Sequence, residues 1–89
     1  MNLIYKYPLA AGQSTINVPK NAKLLRVHEQ GDNVCVWFLF DSAEKETEER
    51  HFMVVPTGTR FSLGDKSRYV DNIFIRRGEY VYHIFELFY

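Results

Sequence analysis

Val34-Cys35-Val36-Trp37-Phe38-Leu39-Phe40 is the stretch that decides the fold, because every side chain in it is apolar. Successive residues of a strand point to opposite faces of a sheet, so this run is apolar on both faces. Such a strand is typical of the centre of a sheet that is covered on both sides. The preceding residues 30–33 include Gly, Asp and Asn, which tolerate the positive φ angles of a tight turn. The sequence therefore predicts a central strand that is entered through a hairpin.

Shorter runs on both sides of this strand are rich in β-branched and aromatic residues and are separated by turn residues. They span residues 3–7, 14–18, 22–30, 50–55, 68–75 and 80–89, and residues 60–63 add a short extended piece. Pro8 is expected to end the first run. In the third run, Leu25 and Val27 are expected on one face, with Arg26 and His28 on the other. Residues 41–49 are polar, which indicates a solvated loop with at most one short helix.

These elements predict a single all-β domain over residues 1–89. The expected architecture is a small antiparallel β-sandwich or partly open barrel of about seven short strands. A chain of this length buries only about 60–65% of the surface that its unfolded form exposes. Oligomerisation would add burial that one subunit cannot supply.

The eleven basic and eleven acidic residues cancel, so no net charge draws the protein to nucleic acid or to an anionic membrane. We expect neither of these as a partner. The one cysteine, Cys35, lies in the apolar run and is expected to be a buried, reduced thiol. The N-terminal residues lack the features of a secretion signal, and no apolar run has the length of a membrane span. We therefore expect a cytosolic protein, located in the host cytosol if its source is viral.

No catalytic signature is present. The chain has no Gly-x-Ser-x-Gly elbow, no Cys-His signature and no phosphate-binding glycine loop. His28, His51 and His83 are far apart and lack the ligand spacing of a zinc site. The sequence predicts no catalytic residue, no metal site and no cofactor, and it favours a protein that is not an enzyme.

Basic residues are concentrated between residues 60 and 77, where Phe61, Tyr69 and Phe74 lie among them. Guanidinium groups beside aromatic rings suit contacts with phosphates and bases. This pattern predicts a ligand- or partner-binding site formed by Arg60, Lys66, Arg68, Tyr69, Arg76 and Arg77. Asp65, Asp71 and Glu79 also lie in this segment, so the alternative is an ordinary solvated edge.

The C-terminal strand is apolar on both faces. A domain of this size has one core, so the second face must be covered by the acidic loop, by the N-terminal strand or by another subunit. We favour the last explanation, which predicts a homo-oligomer whose interface contains Tyr80, Tyr82, Ile84 and Phe88.

Several segments together resemble a family of small tailed-phage accessory proteins of unknown function. They are residues 5–9, 17–27, 50–52, 57–58 and 81–86, together with Trp37. The resemblance extends over nearly the whole chain and rests on aromatic, proline and glycine positions. It implies an accessory protein made in the infected bacterium and assigns no functional residues.

Three functions follow as hypotheses. The first is a non-enzymatic phage accessory protein that binds a host protein, such as a component of host defence, and inhibits it. The second is an oligomer that sequesters a small anionic, nucleotide-like ligand. The third is a minor structural protein of the virion, a role that suits small β-domains with flat surfaces.

Overall fold

Two antiparallel sheets form the molecule, and the computed structural model describes all residues from Met1 to Tyr89. The strands are β1 (Asn2–Leu9), β2 (Gly12–Pro19), β3 (Lys23–Gln30), β4 (Asn33–Asp41), β5 (Thr47–Pro56), β6 (Ser67–Ile75) and β7 (Tyr80–Leu87). The first sheet has the order β1-β4-β3, and the second has the order β2-β5-β7-β6. This architecture confirms the predicted all-β sandwich. No helix forms, so the chain contains no helical segment of the kind that crosses a membrane.

Strand β4 lies at the centre of the three-stranded sheet, as its sequence predicts. Its Val34, Val36, Phe38 and Phe40 are buried between the sheets, and Cys35 on the other face is a buried free thiol. The core joins the two sheets through an edge-to-face contact between Phe38 of β4 and Phe52 of β5, whose ring centroids are 6.3 Å apart. The buried residues of this core are Leu9, Val18, Ala22, Val27, Val34, Val36, Phe38, Phe40, Phe52, Val54, Ile73, Ile75 and Ile84.

Strand β1 continues through Pro8, so the prediction that Pro8 ends it is wrong. The backbone N–H of Ser42 donates to the carbonyl oxygen of Met1 over 2.8 Å, at the end of a continuous β1–β4 register. In an antiparallel ladder the hydrogen-bonded residues alternate, so the odd-numbered residues of β1 bond to β4 and the even-numbered ones face the free edge. Proline is tolerated in an edge strand where its missing N–H faces away from the neighbour, which is the position of Pro8.

Strand β3 contains a bulge between Leu24 and Arg26. The bulge turns both Leu24 and Val27 towards the core and leaves Leu25 exposed, so the predicted pairing of Leu25 with Val27 on one face is wrong. A bulge adds one residue to a strand and so shifts which residues face the core. A prediction from the two-residue period of a regular strand does not include this shift.

The loops also differ from expectation. Strand β5 begins at Thr47, so the polar segment between β4 and β5 is shorter than predicted and forms a turn without a helix. Residues 57–66 contain no strand. They form a long loop whose Phe61 ring packs on Phe85 of β7 with centroids 5.6 Å apart.

Candidate functional site

The outer face of the three-stranded sheet carries a row of three side chains from three strands. Trp37 of β4 has Lys6 of β1 as its register partner on one side and Arg26 of β3 on the other. Side chains of directly opposed residues in an antiparallel sheet have their Cβ atoms about 4.5–5.5 Å apart. The register therefore places Trp37 between two residues that carry cationic side chains.

Apolar side chains continue this row along the sheet. Ile4 and Leu25 are 56% and 42% exposed, and together with Arg26 and Trp37 they line an open groove of about 450 Å³. We call the surface formed by Ile4, Lys6, Leu25, Arg26 and Trp37 the Trp37 face. No element of the chain packs over it, in contrast to the outer face of the other sheet.

The cations of the Trp37 face have no acidic partners. Neither Lys6 nor Arg26 takes part in any of the five ion pairs of the molecule. The ammonium of Lys6 donates a hydrogen bond to the side-chain oxygen of Gln30, so its chain crosses β4 on the outer face. Glu29 at the end of the groove is the one carboxylate among its lining residues. The surface is thus apolar at its centre and mainly cationic around it.

Asp41 lies at the opposite end of the same sheet. Its carboxylate accepts a hydrogen bond from the backbone N–H of Ala43 over 3.0 Å and lies 3.7 Å from the N-terminal ammonium. The Ala43 bond, followed by the ammonium charge, holds the pKa of Asp41 below its ordinary value. This carboxylate therefore stays ionised under mildly acidic conditions.

The structure does not gather the predicted basic residues into one site. Arg76 and Arg77 occupy the tip of the β6–β7 hairpin, whereas Lys66 lies beyond the other end of β6, roughly 30 Å away at about 3.3 Å per residue. Successive residues Arg68 and Tyr69 point to opposite faces of the sheet. Arg60 lies in the loop of residues 57–66 and is exposed.

Two of these arginines already have partners in the same chain. Arg68 donates to the carboxylate of Glu86 over 3.0 Å. Arg76 lies over the ring of Tyr80 at 5.8 Å and is 3.9 Å from a carboxylate oxygen of Asp32. Arg77 remains free at the hairpin tip, which leaves that tip as a smaller basic surface than the sequence predicts.

The predicted interface on β7 requires a correction. Ile84 is completely buried between the two sheets, and Tyr82 packs against the same core. Tyr80 and Phe88 are exposed, but they lie at opposite ends of the strand, eight residues and roughly 26 Å apart. Strand β7 lies inside the four-stranded sheet, with the core on one face, so these four residues do not form one accessible surface.

The second face of β7 is covered by the chain itself. Met53, Val55 and Leu87 form a small buried cluster there, with Phe85 packed against it and Phe61 of the 57–66 loop above Phe85. The sequence analysis expected the acidic loop, the N-terminal strand or another subunit to cover this face. The loop of residues 57–66 covers it instead. A long loop without regular structure gives no periodic signal, so its folding over the sheet was not predictable.

A hydrogen-bonded network anchors this loop. Thr57 Oγ1 lies 2.7 Å from Nε2 of His83, and the hydroxyl of Tyr69 lies 2.8 Å from Nδ1 of the same ring. A neutral imidazole donates from one nitrogen and accepts at the other, which satisfies both contacts. Burial, followed by the charge of Asp71, raises the pKa of Tyr69. The network joins the start of the loop to β6 across β7. Thr57, Tyr69 and His83 therefore have a structural role in holding the loop.

Buried charge is concentrated at Glu86, which is 1% exposed. Its carboxylate accepts hydrogen bonds from Arg50 of β5 and Arg68 of β6. Arg50 also donates to the carbonyl oxygen of Ala22 over 3.1 Å and lies over the ring of Phe38 at 5.0 Å. All these partners belong to the fold, so this group is a structural ion cluster between the sheets.

Sequence reasoning missed the Trp37 face because its members lie at positions 4, 6, 25, 26 and 37 and meet only through the strand register. The one available signal was the alternation within β3 and β4, which places Arg26 and Trp37 on the faces opposite the core. No arrangement of His, Cys, Asp and Glu side chains for a metal ion is found in the structure.

The fold and the site define the molecule as a small antiparallel β-sandwich with an open sheet face of apolar and cationic side chains. The chain belongs to the family described as Domain of unknown function (DUF7352), whose family model matches residues 1–88. Comparisons with curated proteins and with solved structures gave no match.

Proposed function

We propose that this protein is a non-enzymatic binding protein that recognises an acidic, partly apolar segment of another protein through its Trp37 face. The observation that carries the proposal is the row of Lys6, Trp37 and Arg26, in which both cations lack an acidic partner. Carboxylates of a partner would pair with the two cations while its apolar side chains contact Trp37 and Ile4. Trp and Arg are the residue types most enriched among energetically dominant interface contacts.

The resemblance to small tailed-phage proteins supports a more specific version of this proposal. The partner is then a protein of the infected bacterium, such as a defence component, and binding inhibits it. The balanced net charge favours a protein over nucleic acid, because nucleic-acid binding depends on neutralising many phosphates.

Capture experiments with charge-reversed variants test the proposal. Wild-type protein, the Lys6→Glu/Arg26→Glu variant and the Arg76→Glu/Arg77→Glu variant are each used to capture proteins from bacterial lysate, and a captured protein is then purified and its affinity measured. We expect binding by wild type and by the hairpin-tip variant, and loss of binding with the Lys6→Glu/Arg26→Glu change. Loss only with the hairpin-tip variant would assign the site to Arg76 and Arg77, and equal binding by all three would refute both sites.

The same row of residues also favours a second candidate, the sequestration of a nucleotide-like anion. An indole ring stacks on a base while neighbouring cations bind phosphate, and the groove volume lies within the range of small-ligand sites. Calorimetry against a nucleotide panel distinguishes the two candidates. Heat of binding that disappears in the Lys6→Glu/Arg26→Glu variant supports the nucleotide, and no heat with any nucleotide removes it.

A further inference from the structure

The free edge of β1 exposes a regular set of backbone hydrogen-bonding groups. Since the odd-numbered residues of β1 bond to β4, the backbone groups of Asn2, Ile4 and Lys6 face outwards with both N–H and C=O free to bond. Pro8 follows in the same outward series without an N–H. The usable edge therefore extends from Asn2 to Lys6.

This edge is self-complementary, and we infer that it pairs with the β1 edge of a second copy of the chain. In an antiparallel pairing centred on Ile4, Asn2 lies opposite Lys6 of the second copy, and Lys6 lies opposite Asn2 of the second copy. Every outward N–H and C=O of these three residues then has a partner, and Pro8 lies outside the ladder. In a register shifted by two residues, Asn2 would lie opposite Pro8 of the second copy. The carbonyl oxygen of Asn2 would then have no donor, because proline has no N–H.

The exposed apolar side chains of β1 support this pairing. Leu3, Ile4 and Tyr5 are 41%, 56% and 52% exposed and lie on both faces of one regular strand. In the dimer, Ile4 meets Ile4 of the second copy on the outer face, and Leu3 meets Tyr5 of the second copy on the inner face. A long, flat, apolar edge strand is a liability in a monomer, because it pairs with other chains.

Charge complementarity favours the same register. Asn2 is the register partner of Asp41 on β4, and both lie on the outer face. Lys6 of the second copy, placed opposite Asn2, then lies two strand spacings, or about 10 Å, from the backbone of Asp41. A lysine side chain that leaves Gln30 spans most of that distance, so the attraction acts at long range and gives Lys6 no direct acidic partner.

The other edges of the two sheets are less suited to pairing. Strands β3 and β6 each contain a bulge, which twists an edge and interrupts a ladder. Strand β2 is regular, but it is largely polar. Its polar residues are Gln13, Ser14, Thr15 and Asn17. Strand β1 alone combines a regular edge with exposed apolar side chains.

Pairing through β1 forms a continuous six-stranded sheet in the order β3-β4-β1-β1-β4-β3. The two Trp37 faces then lie on the same side of that sheet, with the β4 strands three spacings, or about 14 Å, apart. The dimer would present two recognition surfaces side by side. Its existence does not depend on the function of that surface.

Cysteine cross-linking tests the register directly. In the proposed dimer the Cα atoms of Ile4 and its counterpart are about 5.5 Å apart, a distance that a disulfide bridges. Lys6 and its counterpart are displaced by four residues, or about 13 Å along the strands, which a disulfide does not bridge. Under mild oxidation Ile4→Cys should form a covalent dimer in high yield, whereas Lys6→Cys, on the same strand and face, should not be cross-linked.

Three further measurements complete the test. A mixture of Asn2→Cys and Lys6→Cys proteins should form the mixed disulfide that neither forms alone, and sedimentation of wild-type protein at micromolar concentrations should show a dimer. Equal cross-linking of Ile4→Cys and Lys6→Cys, or a wild-type protein that sediments only as a monomer, would overturn the inference. The Ile4→Pro variant removes one outward N–H and should sediment as a monomer, with Trp37 fluorescence confirming that it is folded.

Discussion

Replacing Glu86 by Gln should destabilise the domain strongly, although it removes only one charge. Glu86 is 1% exposed and accepts hydrogen bonds from Arg50 and Arg68, whose side chains are 18% and 56% exposed. Neutralising Glu86 leaves the Arg50 guanidinium between the sheets without its counter-ion. The cost of breaking a buried ion pair in this way is about 3–5 kcal/mol. Arg68 is largely solvated and adds little, so we expect a loss of about 3 kcal/mol.

That loss is large for a chain of 89 residues, because its total free energy of unfolding is expected to be roughly 4–13 kcal/mol. Urea unfolding followed through the fluorescence of Trp37, the single tryptophan, measures it. With an m value of about 1.5 kcal/mol/M, the unfolding midpoint should fall by about 2 M.

A matched control is available on the surface. Glu46 pairs with Lys20 over 3.3 Å, and both side chains are largely exposed. Glu46→Gln should change the free energy of unfolding by less than about 0.5 kcal/mol, because solvent screens exposed ion pairs. Replacing both Glu86 and Arg50 by Met should recover much of the lost stability, since apolar side chains of similar size can substitute for a buried ion pair. If Glu86→Gln were no more destabilising than Glu46→Gln, the cluster would not hold the two sheets together as described.

Three further predictions concern the loops, the hairpin tip and alkaline pH. Phe61→Ala should cost about 1 kcal/mol through its lost contact with Phe85 and should increase hydrogen exchange in residues 57–66, whereas unchanged exchange would mean that the ring does not anchor the loop. Arg77→Gly should raise the free energy of unfolding by about 0.5–1 kcal/mol, because Arg77 has a φ of 58° that glycine adopts without strain; a lower thermal midpoint would contradict this account. Burial, followed by the charge of Tyr5, raises the pKa of Tyr7 above its ordinary value of 10.0. Above that pH the unfolded state loses a proton that the folded state keeps, so the free energy of unfolding falls as the pH rises. Tyr7→Phe should therefore lose less stability than wild type above about pH 10 in urea titrations, and parallel pH profiles would refute this assignment.

The strands were predictable where local pattern and burial agree. The apolar run of β4, the turn before it and the hairpin at residues 76–79 all have their signal within a few neighbouring residues. Pro8 and Leu25 were misplaced for a common reason. An edge position and a bulge are properties of the pairing between strands, and neither is present in the chain taken alone.

The candidate site was less predictable than the fold. The basic residues between positions 60 and 77 are close in sequence, but strand geometry separates them to two ends and two faces of one sheet. Lys6, Arg26 and Trp37 are distant in sequence, and the β1-β4-β3 register brings them together. Proximity along an extended chain is a poor guide to proximity in space, since each residue adds about 3.3 Å.

The sequence by itself determined that residues 1–89 form an all-β fold with β4 at the centre of a sheet, because apolar periodicity and turn residues act locally. Only the tertiary structure decided which faces are covered, which charges are paired and which edge remains open. Those properties depend on strand order and register, and many registers satisfy the same alternation of apolar and polar residues until the two sheets pack against each other.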